Sequence, residues 1–367
     1  MELIKMWTIV ALLLGPYTLK AQNKMDLTRR EQSLVEIAAL EAKGDRVRLE
    51  SAINDGLVNK LSVNEIKEAL SQLYAYTGFP RALNGLETLR SVVANRIAEN
   101  MPTIIGREFE LPKDFDALKK GTVVQTKLCG GKPFSYTFAP RTDYFLKAHL
   151  FGDIFASDIL SESDREIVTI SAVSALDGCD VQLTSHVDGA LNMGVSKNQL
   201  RDIPKILENK VGNLEAYRVR KALAVTQGEK FNEGTPVDFK VWPKGEPNTA
   251  YAKYFIGNSY LAPMDTQNGG PVNVTFEPRC RNNWHIHHNS VQVLICVAGR
   301  GWYQQEGKEA VEMIPGTVIS IPSEAKHWHG AAKDSWFQHL TYTTKVGKNA
   351  SNEWLEPVVD KEYDKLK

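Results

Sequence analysis

The chain has 367 residues, and its 44 Lys and Arg are balanced by 44 Asp and Glu, so the formal net charge is zero. A neutral chain has no net field to attract a polyanion, and we therefore expect no nucleic-acid partner. The length is enough for two or three domains. The four cysteines form no CxxC pair, which argues against a zinc ribbon or a thioredoxin-like couple and leaves one or two disulfides open.

Residues 1–21 are typical of a secretory signal peptide. Lys5 precedes an apolar run over residues 7–14, and the small residue Ala21 stands at the expected cleavage point. The run is shorter than the about 20 residues that a bilayer span requires. We expect cleavage before Gln22 and an exported chain, periplasmic or secreted, without a membrane span. A buried N-terminal helix is the alternative.

Helical periodicity dominates from residue 25 to residue 225, with one interruption. Residues 25–100 and 141–225 each show apolar residues three and four positions apart. Between them, residues 101–140 are rich in Pro and Gly and are predicted to be an irregular insertion. The pattern predicts two helical units separated by this insertion.

The two helical units are related by an internal repeat. Residues 27–70 align with residues 160–204 with one gap, and Gly44 then falls on Gly178. The matched positions are mostly apolar at helical spacing. A shared helix-pair scaffold explains this register, and chance similarity between amphipathic helices is the alternative.

The second repeat carries the residues with acid–base and nucleophilic chemistry. Glu166 precedes Cys179 by about one helix, and His186 lies two helical turns after Cys179, near the same face. Such a group can form a relay in which the histidine takes a proton and the glutamate orients it. The first repeat is chemically blank at the equivalent positions, which are Ser33, Asp45 and Ala52. Alternatively, the histidine packs between helices and the cysteine is a small buried residue.

Both repeats resemble the carboxymuconolactone decarboxylase and alkylhydroperoxidase-D family, and the first does so through the stretch YTGFPR at 76–81. The peroxidase branch has Glu, then Cys-x-x-Cys, then His. Here Gln182 replaces the second cysteine, so a disulfide relay cannot close within the site. The decarboxylase branch fits better, and the resemblance implies an all-α fold with Glu166, His186 and Cys179 as catalytic candidates. Peroxidase-like activity through Cys179 remains an alternative.

Residues 226–250 are rich in Pro and Gly and are predicted to be a linker, after which the pattern changes to strands. Over residues 251–345, short alternating or apolar runs are separated by Gly and Pro turns. This pattern of short strands and turns predicts a closed or sandwiched β domain. We treat residues 346–367 as a C-terminal tail.

Four side chains in the β domain have the spacing of a metal site. His285 and His287 lie on one face of a strand because side chains alternate with period two, Gln292 opens the next strand, and His327 follows later. Three imidazoles and one carbonyl oxygen suit a divalent first-row metal and leave open positions. The metal can be Zn, Mn, Fe or Ni.

This region resembles the cupin superfamily over about residues 265–345. The first cupin motif stands at 285–299 and the second at 315–327. The resemblance implies a jelly-roll barrel, that is, a double-stranded β-helix, with the four residues above as metal ligands. Gln292 stands where most cupins have Glu, which leaves the site one charge more positive and removes a possible carboxylate base. A metal-free cupin whose histidines only line the pocket is the alternative.

Taken together, the resemblances imply an enzyme with acid–base, decarboxylation-like chemistry on a small organic acid or lactone. A metal-dependent protein that binds or senses a small molecule, with the helical region as an oligomerisation module, is the rival interpretation. We expect a homo-oligomer, because short helix pairs have apolar faces on more than one side and bury them against neighbours.

Overall fold

The computed structural model describes residues 25–231, 234, 236–237, 239, 241–265, 270–345 and 348–366. The predicted signal peptide lies outside the described residues. Helices occupy most of the described chain up to Gln227, and strands dominate after it. The predicted fold class, an all-α region followed by an all-β region, is confirmed.

The first repeat consists of four helices. They are α1 (Arg29–Lys43), α2 (Arg46–Val58), α3 (Val63–Thr77) and α4 (Phe79–Ala98). The segment that follows holds α5 (Ala117–Leu128), α6 (Pro140–Tyr144), a π-helical segment (Phe145–Asp153) and a short 3₁₀ turn (Ile154–Ala156). The second repeat again has four helices, α7 (Glu162–Ser174), α8 (Asp180–Asn192), α9 (Lys197–Lys210) and α10 (Asn213–Gln227).

Helix starts explain why the two repeats share a register. Thr28 opens α1 and Ser161 opens α7, and each forms a reciprocal capping box with the residue three positions on. Ser62 and Ser196 do the same for α3 and α9. These caps fall on each other in the alignment, so equivalent helices begin at equivalent places.

The shared core is built around α1 and α7, which pack against each other. Every residue of α7 from Asp164 to Ser174 is buried, because other helices surround it. A helix that is covered on all sides places even its polar side chains in the interior. Glu166 is therefore a core residue of the helical region.

The prediction that residues 101–140 are irregular throughout is wrong for α5. Gly121, one of the glycines of this stretch, lies in the middle of α5 and marks a close helix crossing. A Cβ at Gly121 would lie 1.6 Å from the Lys147 carbonyl oxygen, and one at Gly152 would lie 2.2 Å from the Ala117 carbonyl oxygen. Glycine is therefore required by the contact between α5 and the π-helical segment.

The β region forms two sheets. Its strands are β1 (Glu246–Pro247), β2 (Phe255–Ile256), β3 (Ser259–Pro263), β4 (Val272–Phe276), β5 (Arg281–Asn282), β6 (His285–His288), β7 (Ser290–Gly299), β8 (Gly301–Gln305), β9 (Val311–Met313), β10 (Val318–Ile321), β11 (His327–Ala331), β12 (Phe337–Lys345) and β13 (Ser351–Trp354). One sheet has the order β1-β3-β4-β12-β7-β10. The other has the order β13-β6-β11-β5-β2, and β8 joins it by pairing with β11 and β9. Antiparallel pairing curls the sheets around a core that contains Phe276 and Phe337.

The β region extends beyond the boundary predicted at residue 345. Strand β13 pairs with β6, and helix α11 (Asp360–Tyr363) follows it. Tyr363 is buried against Trp328 and donates a hydrogen bond to the Ala331 carbonyl oxygen at 2.7 Å. The segment treated as a tail is therefore an integral part of the barrel.

Among the described residues, no helix has both the length and the apolar character needed to cross a bilayer.

All four cysteines are described and all are free thiols, so neither of the disulfides left open by the sequence is formed. They are Cys129, Cys179, Cys280 and Cys296.

Candidate functional site

The three predicted imidazole ligands lie together inside the barrel. His285 and His287 project from β6, and His327 projects from β11 in direct register with His285. One ring nitrogen of each lies within 4.8 Å of a ring nitrogen of the other two, and all three residues are buried. Within the described part of the chain, this is the one group of His, Cys, Asp or Glu so disposed.

Each of these imidazoles is oriented by a hydrogen bond from its Nδ1 atom. The acceptors are the Asn283 carbonyl for His285 at 3.0 Å, Asn352 Oδ1 for His287 at 2.6 Å, and the Ala325 carbonyl for His327 at 2.8 Å. These oxygens accept and cannot donate, so each Nδ1 carries the proton and each Nε2 keeps a lone pair. Such outer hydrogen bonds are typical of metal-binding histidines.

Gln292 completes the predicted ligand set from β7. Its Oε1 lies 2.9 Å from His287 Nε2 and 3.1 Å from His327 Nε2, while its amide nitrogen donates to Thr341 Oγ1 at 3.1 Å. Oxygen and nitrogen lone pairs therefore face one another at close range. A cation between them would bind all of these lone pairs at once, so the donor set fits a metal ion.

Burial keeps these imidazoles neutral. It lowers the pKa of His327 to about 4, lowers the pKa of His287, and lowers the pKa of His285 well below its ordinary value with a further contribution from His327. Metal ligation requires the neutral imidazole. Since Gln292 is uncharged too, the four groups would leave the full charge of a bound divalent ion uncompensated.

Two further histidines lie deeper in the barrel. His329 follows His327 by two residues on β11, and its ring lies 4.8 Å from the ring of His339 on β12. Both are buried, and burial lowers the pKa of His339 to about 4 and lowers the pKa of His329 well below its ordinary value. Asn282 Nδ2 lies 3.0 Å from His329 Nε2. Neither ring nitrogen of His339 has a hydrogen-bond partner among the described residues.

Neither His329 nor His339 belongs to the ligand set that the sequence predicts. The alternation of β11 could have identified His329, because it shares a strand face with His327. The register of β12 shifts at a β-bulge between Gln338 and His339. Alternation alone therefore does not predict which face of the strand carries the His339 side chain.

The helical region contains a second polar site. His186 on α8 lies with Nδ1 2.8 Å from Glu166 Oε2 on α7, and Glu166 is fully buried. The other oxygen of Glu166 is buried and has no hydrogen-bond partner in the described part of the chain. Tyr76 of the first repeat, whose hydroxyl is also buried, presents its ring 5.7 Å from the His186 ring. The sequence indicates Tyr76 only as part of the family-like stretch at 76–81 and not as a site residue, because it comes from the other repeat.

Cys179 lies at the start of α8 and is only partly buried. Its Sγ approaches the Asp177 carbonyl at 3.7 Å. Gln182, which replaces the second cysteine of the peroxidase motif, is exposed to solvent. The structure thus pairs Glu166 with His186, and Cys179 has its hydrogen-bond contact with the backbone.

Comparison with known proteins matches both regions. Residues 17–91 and 140–224 match the model of the carboxymuconolactone decarboxylase family, and residues 272–338 match that of the cupin domain. A relative from Granulicella tundricola, named (R)-mandelonitrile lyase, is 37% identical over 116 residues, which are 30% of this chain and 87% of the relative.

Two solved structures from Thermotoga maritima are also similar. A cupin-like protein is 33% identical, with 34% of this chain and 96% of that chain covered and a TM-score of 0.31. A predicted oxalate decarboxylase is 15% identical, with 28% and 95% covered and a TM-score of 0.26.

A repeated four-helix unit joined to a barrel with three converging imidazoles defines a two-region protein with a candidate metal site in its β region. The chain belongs to the carboxymuconolactone decarboxylase family and carries a C-terminal cupin domain. Both resemblances stated from the sequence are confirmed.

Proposed function

We propose that the chain is a metal-dependent lyase whose reaction takes place in the cupin barrel, on a small substrate with a hydroxyl group. The observation that carries the proposal is the convergence of three lone-pair nitrogens and the Gln292 oxygen in a buried pocket. A cyanohydrin is the first substrate class to test, because the Granulicella tundricola relative is named for one. Like a decarboxylation, this reaction breaks a bond between two carbon atoms.

The ligand roles follow from the donor set. His285, His287, His327 and Gln292 would hold a divalent transition metal, and such an ion acts as a Lewis acid that makes a bound hydroxyl more acidic. The neutral donor set strengthens this effect, because no carboxylate offsets the charge of the ion.

The deeper histidines are placed for proton transfer. His329 lies between the ligand imidazoles and His339, with its ring 5.6 Å from that of His285. Because burial keeps both rings neutral, the pair can take the proton of a substrate hydroxyl. The carbon–carbon bond then breaks, its electron pair leaves with cyanide, and the histidine pair returns the proton to give an aldehyde and hydrogen cyanide.

Cleavage of mandelonitrile by the purified, Mn²⁺-loaded chain tests this proposal. The His329→Ala variant should bind metal normally but lose about 10²–10⁴-fold in rate, the usual contribution of a general acid–base group. His149→Ala is the matched control, because His149 is exposed in the helical region, and it should keep the full rate. A metal-loaded chain that cleaves neither cyanohydrins nor small hydroxy acids would refute the lyase assignment.

A second candidate reaction belongs to the helical region. The 2.8 Å contact between Glu166 and His186 orients the imidazole and leaves its Nε2 available as a base. This geometry supports acid–base, decarboxylation-like chemistry on a small organic acid or lactone. His186→Gln should abolish such a reaction and leave cyanohydrin cleavage unchanged. Equal loss of both reactions in that variant would show that they are not separate.

The rival function is metal-dependent binding of a small molecule. It would show as ligand affinity without turnover by the metal-loaded chain.

Export after cleavage near Ala21 is tested by the N-terminal mass of the protein from its host. The homo-oligomer is tested by light scattering.

A further inference from the structure

The strand that follows the matched cupin region lies directly beside the candidate metal ligands. Strand β13 pairs with β6 so that Asn352 is opposite His287 and Trp354 is opposite His285. The cupin match ends at residue 338, and the sequence pattern placed this segment outside the barrel. The contacts of β13 with the candidate ligands therefore lie outside both the cupin motifs and the matched cupin region.

Asn352 makes a directed contact with one ligand. Its Oδ1 accepts a hydrogen bond from His287 Nδ1 at 2.6 Å. In His285 and His327 the same task is performed by backbone carbonyls two residues before each histidine. The His287 ring thus depends on a side chain that is 65 residues away in sequence.

Trp354 bounds the same site from a second direction. Its ring lies 4.8 Å from the His285 ring and stacks at 4.7 Å on Tyr254. Because Trp354 is anchored by that stacking, it limits the rotation of His285. Two of the three imidazoles are consequently positioned by β13.

The far end of the segment ties β13 to the barrel. The Arg281 guanidinium donates to the Val358 carbonyl at 2.9 Å, and Val358 is buried beside Trp328 and Tyr363. Strand β13 is thus held by its pairing with β6 and by the anchored segment that follows it. This attachment can keep Asn352 in one place even though that residue is itself exposed.

We infer that Asn352 is a positioning residue for the metal site, which sets the tautomer of His287 so that Nε2 faces the metal. This inference rests on the proposed metal site and deepens it. An Asn oxygen at Nδ1 makes the Nδ1–H tautomer the stable one in the metal-free protein. Metal binding then requires no proton shift within the ring, and loss of the acceptor should weaken binding.

The experiment measures Mn²⁺ affinity of the full chain by calorimetric titration. Asn352→Leu, which removes the acceptor, should weaken Mn²⁺ binding by about tenfold, within the range typical of outer-shell partners. Asn352→Asp keeps an acceptor oxygen and should retain or improve the wild-type affinity. Ser351→Ala is the matched control, because it changes the neighbouring position of β13 and should leave the affinity unchanged.

A second readout separates orientation from general destabilisation. Nitrogen-15 spectra of histidine-labelled, metal-free protein should show His287 as the Nδ1–H tautomer in the wild type and in Asn352→Asp. In Asn352→Leu a substantial share should convert to the Nε2–H form. A purely structural role for Asn352 would lower thermal stability without moving this tautomer equilibrium.

The outcomes distinguish the two proposals. Mn²⁺ binding by the wild type that is equally tight in Asn352→Leu, with no tautomer change, overturns the role of Asn352 and leaves the metal site intact. Absence of Mn²⁺, Zn²⁺, Fe²⁺ and Ni²⁺ binding by the wild type overturns the metal site and this inference with it. Loss of cyanohydrin cleavage in Asn352→Leu with unchanged Mn²⁺ affinity likewise overturns the role of Asn352 in metal binding.

Discussion

The helical site and the barrel site both contain oriented imidazoles, but they differ in what orients them. In the helical region a buried carboxylate, Glu166, accepts from His186 at 2.8 Å. In the barrel, neutral carbonyl oxygens accept from His285, His287 and His327. A carboxylate partner stabilises the protonated imidazole, whereas in the barrel burial disfavours it by more than the hydrogen bonds to neutral oxygens favour it.

The difference shows which chemistry each region can perform without help. A histidine paired with a carboxylate can cycle between its two protonation states, which is the requirement for proton transfer. Three imidazoles that stay neutral are poor proton carriers but good metal ligands. The helical region can therefore offer a carboxylate-paired base without a metal, whereas the barrel depends on a metal to acidify the hydroxyl whose proton its deep histidines take, and the following predictions test that difference.

The strongest test removes one barrel ligand. His287→Ala should empty the metal site and reduce cyanohydrin cleavage by more than the about 10–100-fold cost of losing an outer partner. Elemental analysis and the cleavage assay measure the two effects, and the helical reaction should be unaffected. Undiminished metal content in this variant would remove His287 from the ligand set.

Charge in the barrel can be changed with little change in shape. Gln292→Glu adds a carboxylate to the donor set and should tighten metal binding by at least about tenfold, because opposite charges attract strongly at bonding distance. It should also shift the pH profile of cleavage upward, since a partly neutralised metal acidifies a hydroxyl less. A pH profile identical to that of the wild type would contradict the neutral-donor explanation.

The deep barrel histidines should make the metal-free protein sensitive to acid. Burial lowers the pKa of His339 to about 4, whereas an unfolded chain protonates this residue near 6.5. The unfolded state therefore takes up this proton at a higher pH than the folded state does. The free energy of unfolding is consequently greatest above pH 6.5 and declines as the pH falls from 6.5 through 4. His339→Leu should reduce the slope of unfolding free energy against pH in this window by up to about 1.4 kcal/mol per pH unit.

Denaturant unfolding of both proteins at several pH values measures that slope. His149→Ala serves as the control, because the His149 side chain lies in the helical region and is half exposed to solvent. Parallel stability curves for the wild type and His339→Leu would show that His339 does not titrate as its burial predicts.

The smallest effect is expected for the thiol. Cys179→Ser should leave most of any helical activity, because Glu166 and His186 contact each other without it and Gln182 replaces the resolving cysteine. Complete loss of peroxide-dependent thiol oxidation in that variant would restore the peroxidase interpretation.

Much of this architecture could be predicted from local signals. Helix caps such as Thr28 and Ser161 mark the repeat register, and strand alternation places His285 and His287 on one face. These features depend on neighbours in sequence, so a pattern of a few residues is enough to show them.

Other features depend on partners far along the chain. The short polar strand β13 has no hydrophobic alternation of its own and forms because it pairs with β6, which is how Asn352 reaches His287. Tyr76 reaches His186 only because the two repeats pack together. In the sequence Gly121 resembles a helix break, because the Lys147 carbonyl that requires a glycine there belongs to another segment.

The most direct test of the central claim is an anomalous-difference map from crystals of the full chain grown with Mn²⁺ and measured at the manganese edge. The account predicts one strong peak in the barrel, about 2.0–2.3 Å from the Nε2 atoms of His285, His287 and His327 and from Gln292 Oε1. No peak at that position, or a peak beside Glu166 and His186 instead, would contradict the assignment of the metal site to the barrel.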